Sequence, residues 1–143
     1  MIFGIGIDVL QVERIERVMA RHGERFLGHL LMPEERAQLE RTARPVRFVA
    51  MRFAAKEAIV KGMGTGFAHG VWIRDVGIVQ NRWGKPEVVY SARGARVRDE
   101  LGIGEGHVTL TDEAGLVVAV AVLMRANGRP GPIPGADGPA CAP

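Results

Sequence analysis

An alanine-rich helix halted by three glycines limits what this chain can become more than any other stretch. The run Arg52-Phe53-Ala54-Ala55-Lys56-Glu57-Ala58-Ile59-Val60-Lys61-Gly62-Met63-Gly64-Thr65-Gly66-Phe67 reads as the end of a helix that begins near Val46 and stops near Gly62. Helical spacing gathers Met51, Ala54, Ala55, Ala58 and Ile59 on one apolar face. Alanines on that face let another element approach closely. Glu57 and Lys61, four apart, stand one above the other at its edge. Two readings are open. The pair is either a solvated i,i+4 contact worth a few tenths of a kcal/mol, or a charged pair at the rim of a packed interior, where each charge needs a partner. Gly62, Gly64 and Gly66 end the helix and leave open backbone beside it.

The flanking segments supply the partners for such a helix. Ile2 to Val9 is an apolar strand ending near Asp8, and Gly4 and Gly6 within it suggest close backbone approach. Asp8 is either a turn or cap aspartate or a functional carboxylate. Gln11 to His22 is a helix with Val12, Ile15, Val18 and Met19 as its stripe, ended by Gly23. Arg14, Arg17 and Arg21 lie together beside the stripe, as a solvated face or a docking surface for an acidic partner. Arg25 to Leu31 is short and apolar, Pro33 opens another helix, and Thr42 to Pro45 breaks it. Val71 to Val79 and Glu87 to Tyr90 form a hairpin around the turn residues Asn81 to Pro86. Ser91 caps a helix from Ala92 to Leu101, with Ala95, Val97 and Leu101 inward. Gly102 to Gly106 is a loop, His107 to Thr111 a strand, Asp112 to Gly115 a turn, and Leu116 to Met124 the last strand. Hairpins with helices grouped between them predict an α+β domain, a mainly antiparallel sheet packed on a long central helix. That domain covers 1–125, and the proline- and glycine-rich 126–143 is expected to be a disordered tail.

Composition narrows the chemistry by exclusion. A chain of 143 residues, 24% charged and 47% hydrophobic, suits one globular domain. Its longest apolar run, Leu116 to Met124, is too short to span a bilayer. The N-terminus lacks the basic start of a signal peptide. A single cysteine, Cys141, excludes an internal disulfide and a cysteine-based zinc cage, so a cytoplasmic protein is expected. The net charge of +3 favours an anionic partner weakly. The loop Gly62 to Gly66 is followed by no Gly-Lys-Ser/Thr, so it is not a Walker loop. His22, His29, His69 and His107 lack metal-ligand spacing, and no Gly-x-Ser-x-Gly elbow exists. Asp8, Glu57 and Lys61 are left. Two carboxylates at an open site are typical magnesium ligands where phosphates supply the remaining oxygens.

With these motifs in this order, the chain resembles the holo-acyl-carrier-protein synthases, bacterial phosphopantetheinyl transferases. The resemblance rests on Gly4-Ile5-Gly6-Ile7-Asp8, on Arg52 to Ala58 with Lys61, on Gly64-Thr65-Gly66 and on Gly84-Lys85-Pro86, and covers roughly Met1 to Arg125. It implies transfer of 4'-phosphopantetheine from coenzyme A to a serine of apo-acyl carrier protein, with release of 3',5'-ADP, in support of fatty acid biosynthesis. It implies Asp8 and Glu57 as magnesium ligands and Lys61 as the active-site lysine. It implies Arg52, Gly64, Gly84, Lys85 and Pro86 in coenzyme A-binding motifs, and Arg14 and Arg21 on the helix that meets the carrier protein. It also implies a homotrimer with active sites between subunits, for which Trp72, Ile73 and the strand Leu116 to Met124 offer apolar surface. Many relatives carry a histidine after a Ser/Thr-x-Ser/Thr strand, whereas here Asp112 follows Thr109-Leu110-Thr111. Beside Glu57 the lysine should stay an ammonium, which suits an electrostatic role, with Glu57 or a water on the metal as the base. A non-enzymatic module for acidic proteins or RNA fits the basic helix equally well. It leaves Asp8 and Glu57 at the edges of apolar elements unexplained.

Overall fold

The long helix forms as α3, Pro45–Met63, with Pro45 in its first turn and Gly64 closing it in the left-handed conformation at φ 78°. The computed structural model describes residues 1–127. The expected tail, 126–143 with Cys141, lies outside the described residues except for Ala126 and Asn127. Around α3 stand β1 (Ile2–Gln11), α1 (Val12–Leu30), α2 (Pro33–Leu39), β2 (Val76–Gln80), β3 (Pro86–Tyr90), α4 (Ala92–Glu100), β4 (Ile103–Glu113) and β5 (Leu116–Arg125), with a short 3-10 turn at Ile73–Asp75. The five strands make one antiparallel sheet in the order β1-β5-β4-β3-β2, the α+β arrangement expected.

The sheet and α3 meet through their smallest residues. Alternation along β1 turns Gly4, Gly6, Asp8 and Leu10 toward the helix. A Cβ on Gly6 would overlap the carbonyl oxygen of Ala58, and one on Gly4 that of Gly62, so the strand's main chain lies directly against the helix's. Ala54, Ala55, Ala58 and Ile59 are fully buried there, with Val117, Ala119, Ala121 and Leu123 of β5 opposite them. The core also holds a buried ion pair. Lys56 meets Glu35 of α2 at 2.7 Å and donates to the carbonyls of Ile73 and Val76, while Glu35 accepts from the backbone of Met32 and Ile78. Burial pulls the Lys56 pKa down, against the pull of Glu35.

The opposite face of the sheet is bare. Ile5, Ile7 and Val9 are 60%, 57% and 59% exposed. Register sets them beside Val122, Val120 and Val118, and these in turn beside His107, Thr109 and Thr111. The apolar surface left over is therefore this face. Trp72 lies off the sheet, before the 3-10 turn, with the Arg93 guanidinium over its ring.

Four boundaries differ from the sequence reading. Gly23 does leave helical geometry, at φ 49° and ψ −127°, but α1 resumes and runs to Leu30. Phe26, Leu27 and Leu30 give it a second apolar stripe on the core. The strand expected from Val71 begins only at Val76, because the Asp75 carboxylate accepts from the Trp72 amide and curls Ile73–Asp75 into a turn. The stretch expected as a loop at Gly102 to Gly106 is already β4 from Ile103, with an irregular register. Asp112 and Glu113 still belong to that strand, and the turn is the two-residue Ala114-Gly115, both at positive φ.

Candidate active site

Asp8, Glu57 and Lys61 meet at the exposed edge of the seam between β1 and α3. Ala58 and Gly62 carry the close contact with Gly6 and Gly4, so the residues one position earlier, Glu57 and Lys61, flank the strand beside Asp8. The Lys61 ammonium donates to the Asp8 carboxylate at 2.9 Å and to the carbonyl of Ile7 at 3.0 Å. Lys61 is thus engaged with Asp8 across the seam rather than with Glu57 along the helix. Burial raises the Glu57 pKa, and the Asp8 charge raises it further, against the opposing pull of Lys61 and Arg14. Glu57 is thereby better fitted to hold a proton than an ordinary glutamate.

Two carboxylates close enough to repel each other stand at a partly open edge, with the Lys61 ammonium already bonded to Asp8. Among the described residues no group of three or more His, Cys, Asp or Glu gathers to hold a metal. Asp8 and Glu57 would offer oxygen ligands from two sides of an incomplete shell, which suits a hard divalent ion completed by phosphate and water.

Arg14 and Arg21 are exposed on α1. Arg14 approaches the Phe53 ring, one turn before Glu57 on α3, with 6.0 Å to its centroid. The basic face therefore borders the carboxylates. Arg17 is paired with Glu13 at 2.9 Å on the same surface.

The remaining expected site residues gather elsewhere. Arg52 is 2% exposed, stacked on the Phe48 ring at 3.9 Å and bonded to Gln38. Burial pushes its pKa down to about 10, which still leaves it charged at neutral pH. With Gly84 and Pro86 it lines a cavity of about 190 Å³. The β2–β3 turn that carries Gly84 is fixed by Asn81, whose side chain accepts from Trp83 and Lys85 and donates to Glu87. Lys85 faces a neighbouring cavity of about 310 Å³ with Tyr90, Arg98 and His107. Gly64 stays with the first cluster, capping α3 just beyond Lys61. Arg52 precedes Glu57 by five residues, which sets the two about 140° apart around the helix axis. Along the sheet, β1 is one edge, and β3 lies three strand spacings away, roughly 14 Å. The single chain therefore holds the expected site residues as two separate clusters.

Two features could not be read from the pattern of the chain. Gln38 holds Arg52 and both backbone groups of Gln80, and Arg47 grips Asp112. Both bonds join segments far apart in sequence. The departure at Asp112 was the only visible hint.

A family model described as the 4'-phosphopantetheinyl transferase superfamily matches residues 4–121. The chain belongs to this family. A holo-[acyl-carrier-protein] synthase of Halorhodospira halophila is 40% identical over 124 residues, 87% of this chain and 98% of that protein. Among solved structures, the holo-[acyl-carrier-protein] synthase of Neisseria meningitidis superposes with a TM-score of 0.83 at 38% identity, covering 87% of this chain and 100% of that one. The Helicobacter pylori synthase, solved in complex with coenzyme A, superposes with a TM-score of 0.73 at 27% identity, over 83% of this chain and 98% of that one. Within this family the Asp8, Glu57 and Lys61 corner becomes the candidate active site, and the Arg52, Gly84 and Pro86 cavity the candidate coenzyme pocket.

Proposed function

We infer that this chain is a holo-acyl-carrier-protein synthase, which moves 4'-phosphopantetheine from coenzyme A to a serine of apo-acyl carrier protein and releases 3',5'-ADP. The observation that carries the reading is the meeting of Asp8 with Glu57 and Lys61 across the β1–α3 seam, in a chain of this family. A pyrophosphate carries negative charge that must be offset before an alcohol can attack phosphorus, and the work is mainly positioning and charge stabilisation. Asp8 and Glu57 would hold a magnesium ion, which when bound supplies positive charge to the phosphates. Lys61, bonded to Asp8, adds positive charge at the same edge. Glu57 stands at the same edge and is proposed as the acceptor of the serine proton. Arg14 and Arg21 steer an acidic carrier protein toward that edge from α1.

The active enzyme is proposed to be a homotrimer. Two features support it: the bare apolar sheet face around Ile5, Ile7 and Val9, and the division of the site into two halves that a neighbouring subunit could reunite. No helix among the described residues is long and apolar enough to cross a membrane. The proposed setting is the cytoplasm, in service of fatty acid biosynthesis.

The decisive experiment mixes the protein with coenzyme A, magnesium and a panel of apo-carrier proteins, and reads intact mass. A carrier that gains one phosphopantetheine, only with magnesium present, is the expected result. A panel left unmodified under all conditions would overturn the reading.

A further inference from the structure

β3 pairs with β2 along its whole length but meets β4 at one paired position only, Glu87 opposite His107. The strands leave a wedge between them, the cavity of about 310 Å³. Its walls include Val88 and Tyr90 of β3, Gly104 and Gly106 of β4 and Arg98 of α4. The Arg98 guanidinium lies over the Tyr90 ring, 5.0 Å from its centroid. The Tyr90 hydroxyl is buried and has no hydrogen-bond partner among the described residues. Burial pushes its pKa up to about 12, so at neutral pH it is a donor without an acceptor, which is costly in an interior. Gly106 leaves space beside it, since a Cβ there would stand 3.7 Å from the hydroxyl oxygen.

The chain itself runs to the mouth of this wedge. After β5 the Ala126 amide donates to the Gly102 carbonyl at 2.9 Å, and the Ala126 Cα stands 3.1 Å from where a Cβ on Gly104 would be. Asn127-Gly128 follows, a favoured tight-turn pair that suits sending the chain back along β4. Next comes Pro130-Gly131-Pro132-Ile133-Pro134-Gly135, uncharged, with Ile133 its one large apolar side chain. Successive amides of an extended chain point to opposite edges, so prolines at alternate positions strip the donors from one edge and leave carbonyl acceptors on both. Such a segment cannot join a helix or a central strand, but it suits an aromatic-walled cleft that offers a donor. We propose that residues 130–135 of this chain lie extended in the wedge between β3 and β4, with Ile133 against Val88 and the Tyr90 ring and a carbonyl of the segment accepting from the Tyr90 hydroxyl. The four positions from Ala126 to Pro130 span at most about 14 Å, and the β4 wall from Gly104 to His107 is about 10 Å long, so the segment reaches its place without crossing the fold. Docked there, it braces β3, which brings Pro86 to the candidate coenzyme pocket. The docking does not depend on the transferase reading.

Paramagnetic relaxation in the full chain tests it. Cys141 is the only thiol, so Cys141→Ser combined with Ala136→Cys places a single nitroxide label just beyond the segment. The amide signals of residues 88–90 and 104–107 should lose most of their intensity, while those of the Ala114-Gly115 turn, at the far end of β4, keep theirs. Ile133→Asp in the labelled chain should restore the lost signals, because a carboxylate has no place against Val88 and the tyrosine ring. Tyr90→Phe, which removes the donor and keeps the ring, should restore them in part. A weak loss spread over the whole domain, or a loss centred away from the wedge, would overturn the proposal. So would an undiminished loss in either variant. Refolding labelled chains together with unlabelled, isotope-enriched ones decides whose segment it is: the enriched chains should keep their signals. A loss there equal to that within the labelled chain would assign the wedge to a second copy's segment and overturn the proposal too.

Discussion

Glu57 carries an electrostatic cost. Its carboxyl is partly withdrawn from water and sits near the Asp8 charge, and both effects disfavour ionisation. Glu57→Gln keeps the shape and removes the charge. In metal-free protein this variant should unfold at a higher temperature than wild type, while phosphopantetheine transfer is lost. Thermal unfolding with and without magnesium checks it: the ion should raise the wild-type midpoint and leave that of the variant nearly unmoved. An equal magnesium shift in both proteins would remove Glu57 from the metal site. Much at this scale was legible in the sequence. Glu57 and Lys61 showed at the rim of a small-residue helix face, and Asp8 showed as the odd carboxylate in an apolar strand. The partner of Lys61 did not show, because i,i+4 spacing pointed to Glu57 while the actual contact lies 53 positions away. Arg52 read as a ligand from its motif, but nothing in the chain signalled that it would be almost wholly buried on Phe48.

Elements are joined here by single carboxylates as much as by apolar stripes. Asp75 ends the 3-10 turn, accepts from the Trp72 amide, from Ser91 Oγ at 2.6 Å and from Arg93 Nε at 2.8 Å, and so ties that turn to the start of α4. Ser91 in turn caps α4 by accepting from the Gly94 amide, as the sequence predicted. Burial works against the ionised Asp75, yet Arg93, Ser91 and the Trp72 amide together hold its pKa below the usual 3.8. A depressed carboxylate pKa means the unfolded chain binds the proton first as pH falls. The stability that Asp75 contributes is therefore complete above about pH 4 and disappears as pH drops through the lowered value. Asp75→Asn should cost about 2 kcal/mol at pH 7, and the gap to wild type should narrow at an acidic pH below the lowered value. Denaturant titrations at the two pH values decide it, and a gap that is constant with pH would mean shape rather than charge matters at this joint. Such joints also explain the misplaced boundaries. Periodicity and glycines located nearly every element. They could not show that Asp75 would delay β2, or that α1 would continue past Gly23 because Leu27 and Leu30 had a core to reach.

At the scale of the whole molecule, the chain leaves an apolar sheet face uncovered and divides its expected site between the β1 edge and the cavity beside β3 and β4. Ile5 is 60% exposed in the isolated chain, so a lysine there should be tolerated by the monomer's own stability. Ile5→Lys should nevertheless abolish assembly and transfer together, with far-ultraviolet circular dichroism unchanged. Light scattering and the mass assay read both effects. A monomeric variant with full turnover would sink the shared site. This surface was half visible in advance: an excess of apolar strand predicted some contact, but the registers that line Ile5, Ile7 and Val9 up with Val122, Val120 and Val118 belong to pairing that no single segment encodes. The glycines of β1 have one more consequence. Because Gly4 and Gly6 press main chain against main chain, the gap between Asp8 and Lys61 is gauged by peptide groups and not by side-chain fit. A designer could replace much of the valine and leucine behind the seam without moving the reactive corner. One added methyl at Gly6 would shift it.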